Sequence, residues 1–283
     1  MPELAYVNGL FSPIAEAKVS IEDRGFQFGD GVYEVIAAYN RVPFLLDRHM
    51  RRLHTSLDAI NVSYDFSAAP LEPVILDGLR RSQFVDALIY VQITRGAAPR
   101  THVIPKGIRP TIVMTFKPLP EVPEDLRHRG AHLMTAFDTR WANCYVKAIT
   151  LLPNILAKSD AISRGFDDAV FVTASGEVRE CTSANIFMVR GDTVLIPPLT
   201  ESILHGVTQG FLRECASGVS LKMIEEPFNV ETLRRADEAF LSSTATEVLA
   251  VTRLDGHLIG DGSVGPCTQR LYAEFRRRSR AYP

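Results

Sequence analysis

The chain reads as a mixed α/β protein of two domains, and three observations lead there. Short apolar runs with period-two alternation are joined by Asn-Gly and Asp-Gly turns. Segments whose apolar residues recur at three and four alternate with them. The cluster Lys117-Pro118-Leu119-Pro120-Glu121-Val122-Pro123 then breaks all periodicity. In Tyr6-Val7-Asn8-Gly9-Leu10-Phe11 the Asn-Gly pair predicts a tight hairpin, and Val32 to Ala38 alternates toward a second at Asn40-Arg41. Asp47 is placed to cap a helix whose Met50, Leu53, Leu57 and Ile60 share one face, and Val74, Ile75 and Leu79 mark another. Strands at Leu88 to Thr94 and Thr111 to Phe116 complete an N-terminal domain of residues 1–117. Residues 118–123 form the linker, because closely spaced prolines remove amide donors. Residues 124–283 form the C-terminal domain. It is expected to hold a strand leading to Lys147, a helix from Pro153 to Arg164 closed by Gly165, and hairpins at Ser175-Gly176, Arg190-Gly191-Asp192 and Asp255-Gly256.

With 283 residues, 46% hydrophobic and 23% charged, the chain is long enough for one large core or two medium ones. No apolar run approaches the roughly 20 residues that cross a bilayer, and Met1-Pro2-Glu3-Leu4 lacks a signal core, so a cytoplasmic protein without membrane association is expected. Cys144, Cys181, Cys215 and Cys267 form no CxxC pair and read as reduced thiols. The formal net charge of -2 argues against a general polyanion binder, and Arg276-Arg277-Arg278-Ser279-Arg280 reads as a solvated helix end, so no nucleic acid is expected. His128 and His132 have metal-like spacing but flank Gly130, and no metal site is expected. The hydrolase elbow G-x-S-x-G, the phosphate loop and H-E-x-x-H are all missing from the sequence.

The most informative stretch is Glu22-Asp23-Arg24-Gly25-Phe26-Gln27-Phe28-Gly29-Asp30-Gly31-Val32-Tyr33-Glu34-Val35, where a glycine-punctuated loop enters a strand that carries Tyr33 toward a site. Alone it is equally an ordinary turn. Four further segments, Tyr90 to His102, Trp141 to Lys147, Glu177 to Asn185 and Ser242 to Glu247, join it in one pattern. Together they resemble the fold type IV pyridoxal phosphate enzymes, and more narrowly the bacterial D-amino-acid aminotransferases. The resemblance runs from the Asn8-Gly9 hairpin to the final helix. It implies a small N-terminal α/β domain, a larger C-terminal β-rich domain, pyridoxal 5'-phosphate between them, and a homodimer with an active site shared across its interface.

Such chemistry needs a lysine whose amine attacks an aldehyde. Of six lysines, Lys18, Lys106, Lys117 and Lys222 sit among polar or turn residues and Lys158 lies on a helix. Lys147 interrupts Tyr145-Val146-Lys147-Ala148-Ile149, where a solvated lysine is costly, although an edge-strand lysine with its charge in water fits the local sequence as well. The resemblance makes Lys147 the Schiff-base residue. It makes Glu180, five residues before Asn185, the carboxylate at the ring nitrogen, with Glu177 the local competitor; Arg179 and Cys181 are larger than the residues usual there. For the phosphate it implies the Val207 and Thr208 amides beyond Gly206, together with Arg52, Ser243 and Thr244, and it packs Leu204 on the ring face. Read without it, Arg52 belongs to a solvated basic face and Ser242 to Thr246 to a turn.

A guanidinium grips a carboxylate well, and Arg100 and His102 stand two residues apart on a loop. By resemblance these two, supplied by the partner subunit, form a carboxylate trap with Tyr33. Branched-chain aminotransferases do not normally show this Arg-x-His pair after Thr94-Arg95-Gly96. The reaction implied is transfer of the amino group of a D-amino acid, such as D-alanine or D-glutamate, to a 2-oxo acid. The other readings are a branched-chain L-amino-acid or R-amine transaminase, an aminodeoxychorismate-type lyase, and a non-catalytic cofactor-binding homologue.

Overall fold

The computed structural model describes residues 3–283, and their contacts divide the chain into two units. The first comprises the chain up to Pro120 with Val146–Thr150 and Tyr282–Pro283, and the second comprises Glu121–Tyr145 and Leu151–Ala281. The division at Pro120 falls inside the proline cluster. Val146–Thr150, expected with the C-terminal domain, keeps its contacts with the first unit instead.

The first unit is built on a six-stranded sheet of β1 (Leu4–Val7), β2 (Leu10–Pro13), β3 (Gly31–Tyr39), β4 (Val42–Pro43), β5 (Ala87–Thr94) and β6 (Thr111–Pro118), in the order β2-β1-β6-β5-β3-β4 and antiparallel throughout. Its first two turns run through successive positive φ angles, at Asn8 and Gly9 and at Asn40 and Arg41, matching the right-handed twist of the strands they join. A short helix α1 (Arg24–Phe28) precedes β3, and α2 (Leu46–Ala59) and α3 (Glu72–Ser82) pack on the sheet. Leu53, Leu57, Ile75 and Leu79 of these helices and Ile36, Ile89, Val91 and Phe116 of the strands are buried, as the apolar spacing requires.

Two local expectations in this unit are corrected. Asp47 does not cap α2: the N-cap is Leu45, in the left-handed region at φ 54 with no side-chain capping bond, while Asp47 sits in the first turn and pairs with Arg51 at 2.9 Å. The stretch from Glu22 to Gly29 is not an open loop either. Asp23 caps α1 by accepting from the Gly25 amide at 2.8 Å, and Gly29 ends it at φ 68, a conformation glycine adopts without a Cβ penalty.

In the second unit a nine-stranded sheet comprises β7 (Ala131–Phe137), β8 (Asp168–Val172), β9 (Val178–Cys181), β10 (Asn185–Arg190), β11 (Thr193–Ile196), β12 (Lys222–Glu225), β13 (Glu238–Ser243), β14 (Glu247–Leu254) and β15 (His257–Leu258). The order is β12-β11-β10-β13-β14-β7-β8-β9, with β15 on β14. The β7–β8, β7–β14 and β11–β12 pairs are parallel. Helices α4 (Glu124–Arg129), α5 (Leu152–Ser163), α6 (Val207–Gly218), α7 (Val230–Arg234) and α8 (Pro266–Arg280) complete the unit, with α6 and α8 packed on each other and on β13. Val170, Val178, Ile186, Leu241 and Val251 lie in its main apolar cluster. Helix α5 and the Ser175-Gly176, Gly191 and Gly256 hairpins fall where the sequence puts them.

Candidate active site

Lys147 does not lie on a regular strand. Val146–Thr150 runs along the edge of β3 that β4 leaves open, joined by a single antiparallel bridge, Val32 to Ala148. Lys147 accepts from the Tyr33 amide at 2.9 Å, the Ile149 amide donates to Gly31 at 3.1 Å, and the Lys147 amide donates to Ser56 Oγ at 3.2 Å. These bonds explain the apolar run: it docks on a sheet edge rather than extending one. They also fix the side chain, with Lys147 Nζ 4.4 Å from the centroid of the Tyr33 ring, inside the range in which a cation is attracted to an aromatic face. Tyr33 in turn stacks on Tyr90 at 5.6 Å, and burial, then Tyr33, pushes the Tyr90 hydroxyl up to about 12.

Successive strand residues face opposite sides, so Glu34 points into α2 while Tyr33 faces away from it. Glu34 is fully buried. It accepts from Arg52 through both oxygens, at 2.7 and 2.8 Å, and lies 2.7 Å from His49 Nδ1. Burial pushes its carboxyl up, but Arg52 and then His49 outweigh that and hold it well below the usual carboxylate range. Burial pushes the His49 imidazole down, with Arg52 and Lys147 adding to the effect against the pull of Glu34, so neutral His49 donates from Nδ1. Arg52, expected at a phosphate, is thus oriented by a buried carboxylate. Sequence reasoning missed Glu34 and His49. A glutamate inside the apolar run Val32 to Ala38 was the available signal, since a charge on a buried face requires partners.

Arg100 and His102 converge as their spacing implies. The Arg100 guanidinium lies 4.5 Å from the Phe28 ring centroid and the His102 ring meets the same phenyl edge-on at 5.6 Å. The loop is tied down by Arg24, which donates to the Thr101 carbonyl at 2.6 Å, while Arg24 and Arg95 both hold Asp30 at 2.8 Å. Asp30 is pushed up by burial and pulled down further by Arg95 and Arg24, so it remains ionised.

In the second unit Glu180 is buried, with its side chain in β9 facing Arg140, whose Nη1 is 2.5 Å from Oε1. Arg140 is held from behind by Asp138 through two bonds of 2.9 Å and stacks on Phe171 at 4.5 Å. Burial opposes its charge, yet Asp138 and Glu180 raise its pKa above the ordinary arginine value. Glu180 also accepts from the Leu204 amide at 3.2 Å and from Asn185 Nδ2 at 3.3 Å, and Asn185 Nδ2 donates to the Leu204 carbonyl at 3.0 Å. Leu204 is therefore anchored at both backbone polar groups. Glu177, the competitor, is only half-buried and pairs with Arg179 at 2.9 Å, which also accounts for Arg179. Asp138 and Arg140 were missed, because the pairing of Arg140 with a residue 40 positions away, which gives the Asp138 contact its purpose, leaves no local signature.

Helix α6 begins at Gly206 with no side-chain cap, so the amides of its first turn at Val207 and Thr208 are presented without a competing side-chain acceptor. Gly206 is required by space: a Cβ there would lie 2.1 Å from Asn185 Oδ1. Ser243 and Thr246 close a hydroxyl-lined turn, with Ser243 Oγ 2.8 Å from Thr246 Oγ1 and accepting from the Thr246 amide at 3.1 Å; Thr244 lies within it. The neighbouring Ser242 hydroxyl is buried without a hydrogen-bond partner among the described residues. An uncapped helix N-terminus, a hydroxyl turn with an unsatisfied buried hydroxyl beside it and a buried carboxylate fit a phosphorylated heterocycle with a protonated ring nitrogen.

The chain belongs to the class IV amino-transferases, whose family model matches residues 31–254; these are fold type IV enzymes that work with pyridoxal 5'-phosphate. The chain is 36% identical over 264 residues to a D-alanine aminotransferase of Bacillus licheniformis, covering 93% of each chain. Its fold is similar to that of a branched-chain amino acid aminotransferase from Escherichia coli, with a TM-score of 0.91, 26% identity and coverage of 99% of this chain and 95% of the other. It is also similar to a branched-chain aminotransferase from the archaeon Thermoproteus uzoniensis with norvaline, with a TM-score of 0.86, 27% identity and coverage of 97% of this chain and 93% of the other. Among the described residues no helix is long and apolar enough to cross a membrane.

Proposed function

We propose that this enzyme is a D-amino-acid transaminase that moves the amino group of a D-amino acid such as D-alanine or D-glutamate to a 2-oxo acid. The observation that carries the reading is the convergence of Arg100 and His102 on one phenyl ring, which presents two carboxylate-binding groups together. The Bacillus licheniformis relative, by its name, uses D-alanine and supports the same choice.

When bound, pyridoxal 5'-phosphate supplies an electron sink that acidifies the α-hydrogen of an attached amine. Lys147 would hold it covalently, and its amine, once released, would serve as the base that carries the α-proton. Its position over Tyr33 limits the directions from which that amine approaches. Buried Glu180, held between Arg140 and the Leu204 amide, would stabilise a proton on the ring nitrogen. Arg52, Ser243, Thr244 and the Val207 and Thr208 amides would hold the phosphate, and Leu204 would lie against the ring. Tyr33, Arg100 and His102 bind the substrate carboxylate.

The active unit is a homodimer in which each subunit lends Arg100 and His102 to its partner. Exposed Val103 and Ile104 follow Arg100 and His102 in sequence, exposed Ile21 and Phe26 belong to the segment that Arg24 ties to that loop, and together they give it an apolar surface to bury. Arg100→Ala removes a charge-assisted contact and lowers kcat/KM for D-alanine by about ten- to a hundredfold. Mixed dimers of Arg100→Ala and Lys147→Ala chains recover activity, because one site keeps its own lysine and borrows an intact arginine. Unchanged efficiency in Arg100→Ala refutes the trap, and no recovery in verified mixed dimers refutes the sharing.

A further inference from the structure

The turn between β13 and β14 contains a residue that its backbone should exclude. Ser243 and Glu247 are paired across the hairpin, so three residues close it, and Glu247, immediately after them, takes φ 60, a left-handed conformation that favours glycine. A non-glycine residue in the left-handed region is strained and persists only when its surroundings hold it. Here three guanidinium groups do so. Arg280 Nη2 lies 2.8 Å from Glu247 Oε1, and Arg276 Nη1 and Arg127 Nη2 lie 3.5 and 3.8 Å from Oε2. The carboxylate is buried, with 5% of its side chain exposed. Arg127 also donates to the carbonyls on either side of Glu247, to Thr246 at 2.9 Å and to Val248. Arg127 and Arg276 both lie over the ring of Tyr272 in α8, at 4.4 and 6.0 Å.

We propose that Glu247 is a positioning residue for cofactor phosphate: clamped by Arg127, Arg276 and Arg280, it holds the Ser243–Thr246 turn in its binding shape. This rests on the reading that the turn binds the phosphate. The clamp links the turn to helix α8, since Arg276 and Arg280 belong to its last turns. Three arginines around one carboxylate also leave a net positive charge behind the turn, which favours a dianion in front of it.

Two substitutions separate the clamp from the backbone. Glu247→Gly relieves the strain and removes the carboxylate, so if conformation were the only role this variant would bind cofactor at least as well as the parent. The test titrates apo-enzyme with pyridoxal 5'-phosphate and, separately, with pyridoxal, which lacks the phosphate. Glu247→Gly is expected to weaken pyridoxal 5'-phosphate binding by roughly tenfold while pyridoxal affinity stays within about twofold of the parent. Arg280→Ala shifts the same ratio in the same direction, and the double variant loses less than the product of the two single effects, because both remove one contact. Equal losses for the two ligands, or no loss for either, overturn the proposal. Ser243→Ala is the control for the underlying reading. If it weakens pyridoxal 5'-phosphate binding while Glu247→Gly does not, the clamp proposal alone fails; if neither variant does, the assignment of the turn to the phosphate fails as well.

Discussion

Gly206→Ala tests whether Asn185 ties Glu180, the carboxylate proposed for the ring nitrogen, to helix α6, whose first amides are proposed to hold the phosphate. Backbone strain is not at issue, since Gly206 sits at φ -66 and ψ 128, which alanine adopts freely. The new Cβ would lie 2.1 Å from Asn185 Oδ1 and 3.2 Å from its Cγ, so the amide must move. Moving it breaks the bond from Nδ2 to the Leu204 carbonyl at 3.0 Å and the longer one to Glu180 at 3.3 Å. A neutral bond contributes about 1 kcal/mol and one to a charged group about 1.5 to 3 kcal/mol. Alanine regains about 0.4 to 1 kcal/mol by restricting the unfolded chain. The net loss is about 2 kcal/mol, a fall of roughly 4 to 8 °C in Tm for a unit of this size. Differential scanning calorimetry of the parent, Gly206→Ala, Asn185→Ala and the double variant closes a cycle. The double variant is expected to be no less stable than Asn185→Ala alone, because the clash has lost its target. Additive losses, or a Gly206→Ala variant as stable as the parent, would refute the reasoning.

Two further outcomes follow from the buried charges. Glu180→Gln keeps the shape of the side chain and removes its charge, so single-turnover α-proton removal slows by roughly tenfold or more while cofactor Kd changes by less than about threefold; an unchanged rate transfers the role to Glu177 or denies it. His49 has a folded pKa below its unfolded value of about 6.5, so the unfolded chain takes the proton first. Its contribution to stability is complete above that pH and declines as pH falls below it, by at most about 1.4 kcal/mol per pH unit. His49→Asn retains a donor to Glu34 but does not titrate, so its stability between pH 7 and 5 should fall less steeply than the parent's; identical slopes in urea unfolding count against a neutral buried His49.

Features set by neighbouring residues were legible in the sequence. Asn8-Gly9 and Asp255-Gly256 specify their turns through their own φ preferences, and the spacing of Leu53 and Leu57 marks the buried face of α2 without reference to the rest of the chain. The Gly206 opening of α6 and the two-residue spacing of Arg100 and His102 were equally local. What failed depended on partners far along the chain. Tyr145 to Ile149 reads as a strand because its apolar residues are shielded, yet the shielding comes from the edge of β3, more than 100 residues earlier. Asp47 has the right chemistry for a cap, but the chain turns into the helix at buried Leu45, before Asp47 is reached. Glu34, His49 and Arg52 form their network only when a strand and a helix pack, and Arg140 meets Glu180 only once the chain has returned through β9, so no local pattern announces either.

The central claim is that the substrate is the D-enantiomer, fixed so that its α-hydrogen faces Lys147. Initial rates with D-alanine and with L-leucine, each at limiting concentration with 2-oxoglutarate as acceptor, test it most directly. kcat/KM for D-alanine is expected to exceed that for L-leucine by at least about tenfold, the loss of one charge-assisted contact. A preference for L-leucine would contradict it and place this chain with the branched-chain enzymes whose fold it shares.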